Sequence, residues 1–215
     1  MWVILLSEKT AVYSAFMKFI AMVQRQFHSE IKCVRSDNNT EFNCLCDYFS
    51  TQGIIFQTSC VGTPHQNRRV ERKHRHILNV ARALLFLGKL PIHFWGECVL
   101  TACYLINKTP SRVLDFKTPY EILFGEPPSY DNIRVFGCLC YAYDLHSRKD
   151  KFASRSRRCM FVGYPLDKKG CKLYDLESNE FFVSRDVKFY ETEFPWGVSD
   201  TSMVDDLEES SEFTC

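Results

Sequence analysis

The sequence has no C-x-x-C pair and no cysteine–histidine array at zinc-finger spacing, although its 215 residues hold 11 cysteines. That absence argues against zinc ribbons and fingers. The two close pairs, Cys44-x-Cys46 and Cys138-x-Cys140, are each separated by one residue, and the total is odd. In an extended strand Cys138 and Cys140 point to the same face, which reads as core packing. Most of the other cysteines sit within apolar runs, the usage expected of a reduced, intracellular compartment. Long apolar runs are also missing. Residues 2–6 (W-V-I-L-L) are too short for a signal segment or a membrane span, so no membrane partner is expected. There is no internal repeat and no low-complexity tract. From 192 to 215 there is no Lys or Arg at all, whereas Glu193, Asp200, Asp205, Asp206, Glu208, Glu209 and Glu212 are present. Such a stretch has little to bury and reads as a disordered acidic tail over 192–215.

What is present is a globular composition, 46% apolar and 25% charged, with a net charge of only +1. The near-zero total hides a strong asymmetry. Between Arg68 and Lys89 seven basic residues face one acid, Glu71, and the segment 148–158 adds a second basic block against Asp150 alone. Local blocks of this kind are what a polyanion feels, whatever the total charge. Each block taken alone reads as well as a solvated face or hairpin.

The coarse layout alternates strand and helix. Residues 2–6 read as a buried strand. Residues 8–27 read as an amphipathic helix, with Val12, Phe16, Phe19, Ile20 and Val23 at helical spacing. Strands follow at 31–35 and 54–58, flanking a short helix at 43–52 that Gly53 stops. A helix over 68–87 carries an apolar stripe of Val70, Ile77, Leu78, Ala81, Leu84 and Leu85. The next helix starts near Pro91 and buries Trp95, Cys98, Val99, Ala102 and Ile106. After the connector Gly125-Glu126-Pro127-Pro128 come β-rich runs at 134–143, 159–164, 171–176 and 180–189, the spacing of a small antiparallel barrel.

Two acids stand out. Asp37 follows a strand in R-S-D-N-N-T-E-F, and Glu71 lies in the first turns of the basic helix in T-P-H-Q-N-R-R-V-E-R-K-H-R. Taken alone, the first is an ordinary turn residue and the second an ordinary first-turn acid. Together, as hard oxygen ligands beside positive charge, they suit Mg²⁺ (or Mn²⁺) and a phosphodiester. Glu71, Arg75, Asn79 and Arg82 share one helix ridge. The spacing of His65, His74 and His76 fits no zinc site.

These strings, with L-P-I-H-F-W-G-E, K-T-P-Y-E-I-L-F-G, V-F-G-C-L-C-Y, F-V-G-Y and V-S-R-D-V-K-F, resemble the integrase region of copia-type retrotransposon polyproteins from Trp2 to about Glu193. The resemblance implies an α/β fold: an RNase H-like catalytic core over 1–125, N-terminally truncated, then an SH3-like β-barrel over 130–191. It implies DNA integration by an Asp, Asp, Glu triad holding two Mg²⁺ ions. Asp37 stands at the second Asp position and Glu71 at the Glu position, while Lys73, Arg75 and Arg82 are the candidate DNA-phosphate contacts. The family's first Asp is expected upstream of Trp2, which leaves metal binding weak and the enzyme reading open. Asn39 and Arg68 stand where the family commonly has Gly, and the Asp37–Glu71 interval is slightly short. The expectation is a nucleic-acid-binding integrase fragment, catalytically impaired, with a partner or second copy covering the open sheet edge. A non-enzymatic interaction module, a decayed reading frame and an integrase completed by another polypeptide remain the alternatives.

Overall fold

The computed structural model describes residues 1–37, 40–60, 67–143, 156–165 and 168–198. Asn39, His65, most of the basic segment 148–158 and most of the acidic tail therefore lie outside the described residues. The chain forms an α/β fold in two compact units, Trp2–His76 and Ile77–Cys215, with Met1 counted in the second.

In the first unit a 3-10 turn, Lys9–Ala11, leads into α1 (Val12–Phe27), which stops at His28 in the left-handed region. Strand β1 (Cys33–Ser36), a 3-10 segment Thr40–Leu45, α2 (Cys46–Thr51) and β2 (Ile55–Thr58) follow. Gly53, at φ +66, ends the helical stretch where a Cβ would be strained. The strands pair in parallel, Cys33 opposite Ile55 and Ser36 opposite Thr58. Period-two alternation turns Val34 and Phe56 inward, onto Leu45 and Phe49 of the helical segment and Phe16 of α1. Arg35 and Gln57 face solvent, where Arg35 Nε donates to Gln57 Oε1 at 2.8 Å.

Residues 2–6 do not form the expected strand. Among the described residues β1 has β2 as its sheet neighbour, and the 2–6 run finds no ladder. An extended apolar run with no strand beside it cannot satisfy its backbone as a strand. It stays largely exposed (Ile4 52%), and Trp2 packs edge-on against Phe19 and Phe27 of α1, with ring centroids at 5.4 and 5.8 Å.

Helix α3 (Arg68–Leu87) runs across the division between the units. Its buried stripe is shorter than the sequence suggests. Ile77, Ala81 and Leu84 are buried, whereas Val70 is 68% exposed and Leu78 also faces solvent. Periodicity marks which residues share a face, but only neighbouring structure decides how far along the helix that face is covered.

In the second unit α4 (Trp95–Asn107) buries Cys98, Val99, Ala102 and Ile106 as expected. Trp95 is not buried with them, at 54% exposed. Phe94, one residue earlier, occupies the core and meets Tyr174, Phe181 and Trp196 edge-on. A short helix the pattern did not suggest, α5 (Pro119–Phe124), is capped by Thr118, whose hydroxyl accepts from the Glu121 amide at 2.9 Å.

Five antiparallel strands complete this unit: β3 (Leu139–Tyr143), β4 (Ser156–Gly163), β5 (Cys171–Asp175), β6 (Phe181–Ser184) and β7 (Val187–Tyr190). The run at 180–189 is thus two strands. The order is β6-β5-β4-β3-β7, so the consecutive strands β6 and β7 lie at opposite edges. In a flat sheet those edges would stand about 19 Å apart, four spacings of about 4.8 Å. Arg185 and Asp186, the two linking residues, span at most about 11 Å. The sheet therefore curls on itself into a barrel. Its interior is filled by Cys138, Cys140, Ala142, Cys159, Phe161 and Leu173, mostly small side chains suited to so narrow a space. Gly137 (φ +81) lets the chain enter β3 past Gly88, where a Cβ would stand 2.7 Å from the Gly88 Cα.

Burial pushes the thiols of Cys98, Cys138 and Cys159 up to about 12, each raised further by a nearby carboxylate, and raises Cys140 as well. Cys33, Cys44, Cys46 and Cys60 are exposed instead. At pH 8 an aromatic disulfide reagent is expected to modify these exposed thiols within minutes and to reach Cys98, Cys138, Cys140 and Cys159 only after denaturant is added. Rapid labelling of Cys140 in the native protein, read by peptide mass mapping, would contradict this core.

Candidate functional site

The parallel register brings the carboxyl ends of β1 and β2 together, with Asp37 directly after β1. The Ser59 amide donates to the Ser36 carbonyl at 3.2 Å, carrying the ladder one step past the strands. Ser36 Oγ donates to the Asp37 carbonyl at 2.8 Å. Asn67, immediately before α3, reaches back with its Nδ2 to Ser59 Oγ in a long contact of 3.5 Å. Its carbonyl accepts from the Glu71 amide at 3.0 Å, closing the first helical turn. Asn67 thus reaches from the start of α3 to Ser59 beyond β2, and Ser59 in turn bonds the last residue of β1, the neighbour of Asp37. Both carboxylate-bearing residues are exposed.

The first half of α3 is unusually open. Arg69, Glu71, Arg72, Lys73, Arg75 and His76 are all exposed, and Glu71 is the acid of the first turn. Arg82 is exposed farther along the same helix, in the part belonging to the second unit. Among the described residues no three His, Cys, Asp or Glu side chains gather closely enough to hold a metal ion. Asp37 and Glu71 each carry a hard oxygen donor of the type Mg²⁺ takes. Of the second basic block, Arg157 is committed locally. It lies 3.8 Å from the Asp175 carboxylate and stacks over Phe182 at 5.6 Å, while Arg158 is exposed.

One partner escapes sequence reasoning. Glu41, in the same R-S-D-N-N-T-E-F string, accepts from Lys9 Nζ at 2.6 Å and so fastens the segment after Asp37 to the foot of α1. The two residues are far apart in sequence, and no local pattern links them. The Lys9 hydrogen bond holds the Glu41 carboxyl below its ordinary 4.5, and Glu41 in turn raises Lys9. A depressed acid favours the folded state above its unfolded value, and that contribution is lost as pH falls through the folded one. Lys9→Met should therefore lower the melting temperature at pH 7 but change it little at pH 3, as read by circular dichroism. Equal losses at both values would rule out the pairing as the cause.

Residues 138–202 match the family model described as the retroviral polymerase SH3-like domain. The chain is 37% identical over 195 residues to the retrovirus-related Pol polyprotein from transposon RE1 of Arabidopsis thaliana, covering 91% of this chain and 13% of that protein. It is 38% identical over 195 residues to the corresponding polyprotein from transposon TNT 1-94 of Nicotiana tabacum, covering 90% of this chain and 15% of that one. Among solved structures, a cryo-EM simian T-cell lymphotropic virus intasome in complex with PP2A regulatory subunit B56 gamma gives a TM-score of 0.44 at 13% identity. That likeness covers 83% of this chain and 65% of the matched chain, and does not decide the fold.

The curled five-stranded sheet is thus part of a protein with a retroviral-polymerase SH3-like domain. The chain belongs to the retrovirus-related Pol polyproteins of plant transposons, and spans 13% and 15% of the lengths of the two relatives named.

Proposed function

We propose that this chain is an integrase-region module of a copia-type element, with an RNase H-like core, that holds DNA along the exposed first turns of α3. One observation carries the reading. Arg69, Arg72, Lys73 and Arg75 are all exposed around Glu71, on a helix whose start reaches Ser59 just beyond β2. Guanidinium and ammonium groups so presented suit phosphate contacts, which fix position on a duplex without reading sequence. Arg75, one turn beyond Glu71, is the first candidate, and Lys73 and Arg82 are secondary ones. The family kinship places related sequence in Pol polyproteins, which fits the same reading.

The test is fluorescence anisotropy with a labelled duplex across a salt series. Each of Arg75→Ala and Lys73→Ala is expected to weaken binding similarly for unrelated duplex sequences and to reduce the salt slope by about 1. No duplex binding at low salt, or a slope unchanged in the double variant, would overturn the proposal.

Asp37 and Glu71 are assigned here as two carboxylate positions of a Mg²⁺ or Mn²⁺ site. Bound there, the ion would supply charge neutralisation at a phosphodiester. Two donors without a gathered third hold such an ion loosely, so catalysis by this set is expected to be impaired. Calorimetric titration with Mn²⁺ should give a dissociation constant of about a millimolar or weaker, lost in Asp37→Asn and in Glu71→Gln. Micromolar binding, or binding that survives both substitutions, would remove these residues from the role.

A further inference from the structure

The outer surface of the barrel carries an arrangement that neither the basic helix nor the carboxylate pair uses. Alternation along β3 sends Cys140 and Ala142 into the core and turns Tyr141 and Tyr143 outward. On β7 the same alternation sends Val187 and Phe189 inward and leaves Lys188 and Tyr190 outside. Tyr141 is flanked across the sheet by Arg158 of β4 and Lys188 of β7, its register partners. Its ring lies 5.6 Å from that of Tyr190 at 80°, and Lys188 Nζ stands 5.3 Å over Tyr190. Tyr143 is 49% exposed. Tyr141, Tyr143, Lys188 and Tyr190, with Ser156, Asp186 and Val187, line an open groove of about 630 Å³, and exposed Arg158 stands beside Tyr141 just outside that lining.

We propose that this face binds single-stranded nucleic acid, with bases stacking on the tyrosines and the backbone running past Arg158 and Lys188. Three tyrosines on the solvent side of a sheet whose other face is already a packed core are not needed to hold the barrel together. The bases of a duplex are stacked on each other and cannot offer their faces to such rings, whereas unpaired bases can. The cations interleaved with the rings meet the charge of a phosphate backbone. Asp186, the acid lining the groove, sits at the Tyr143 end, where its carbonyl accepts the Tyr143 amide at 3.1 Å. Its carboxylate directs the backbone toward the Arg158–Lys188 side. A proline-rich peptide is the competing occupant of an aromatic groove, but it does not call for two cations beside the rings.

The experiment uses the full chain and two labelled probes, an oligothymidylate of about 12 nucleotides and a hairpin duplex, in fluorescence anisotropy at low salt. Tyr143→Ala is expected to weaken oligothymidylate binding about 5- to 150-fold, the range of one lost stacking contact, and to change duplex binding less than twofold. Tyr143→Phe keeps the ring face and should bind as the parent does. Tyr141→Ala should behave like Tyr143→Ala if circular dichroism shows it folded. If it is not folded, the more exposed Tyr143 decides alone. Unchanged oligothymidylate affinity in Tyr143→Ala, an equal loss for both probes, or displacement of the oligonucleotide by a neutral proline-rich peptide would overturn the assignment. Because the α3 substitutions are read on the duplex and these on the single strand, failure of one proposal leaves the other standing.

Discussion

The two-residue link between β6 and β7 is the constraint on which the second unit depends. Strands that follow each other across Arg185 and Asp186 lie at opposite edges of a five-stranded sheet. Only a sheet curled into a barrel lets so short a link join them. Curling leaves little space inside, and cysteine, alanine and a few larger side chains fill it without a polar group to satisfy. It also determines what is left outside. Once Cys140, Ala142, Val187 and Phe189 are committed to the interior, the intervening tyrosines and Lys188 must face solvent. The groove between them is a by-product of closure, and its chemistry is set by which residues occupy the alternate positions. Helix α4 comes equally close. A Cβ on Gly163 would stand 2.5 Å from Thr101 Oγ1, so glycine at that strand end is a packing requirement.

The first unit depends on a different device. Two parallel strands of four residues each are a small sheet, and parallel pairs are ordinarily covered on both faces. Here one face rests on Leu45, Phe49 and Phe16, while Arg35, Ile55 and Gln57 remain in solvent. The carboxyl end of the strand pair carries polar links of this unit. The Ser59 amide extends the ladder past Ser36, Asn67 reaches Ser59 from the entrance of α3, and the Lys9–Glu41 pair fastens Glu41 to the residues ahead of α1. The overall charge of +1 conceals this geometry, because the acids that balance α3 lie elsewhere in the chain.

Much of this was legible in the residues. Helix α3 occupies the whole of 68–87, because Gly88 ends a long periodic stretch that nothing interrupts. The alternation of small apolar residues in V-F-G-C-L-C-Y announced β3, and the basic character of the α3 face follows from spacing alone. What failed did so for tertiary reasons. Residues 2–6 are as apolar as a buried strand, yet strand formation needs a neighbour, and the sequence of a run cannot supply one. Val70 and Leu78 fit the apolar period of α3 but stay exposed among the described residues. Trp95 and Phe94 are adjacent and both aromatic, and only the ring cluster around Tyr174 decides that Phe94 is the buried one. Helix α5 was a missed local signal, since Thr118, Pro119, Glu121 and Gly125 together mark a capped start and a left-handed stop.

The sequence by itself determined the kinship with transposon Pol polyproteins, the identities of the two acids and the run of positive charge on α3. These are properties of residue order, and residue order is what relatives share. Only the tertiary structure decided that Asn67 at the start of α3 reaches Ser59 beyond β2, that Lys9 holds Glu41, and that three tyrosines and a lysine converge on one outer face. Each of these joins residues that are distant in the chain, and such meetings are set by strand register and packing, which no local pattern encodes.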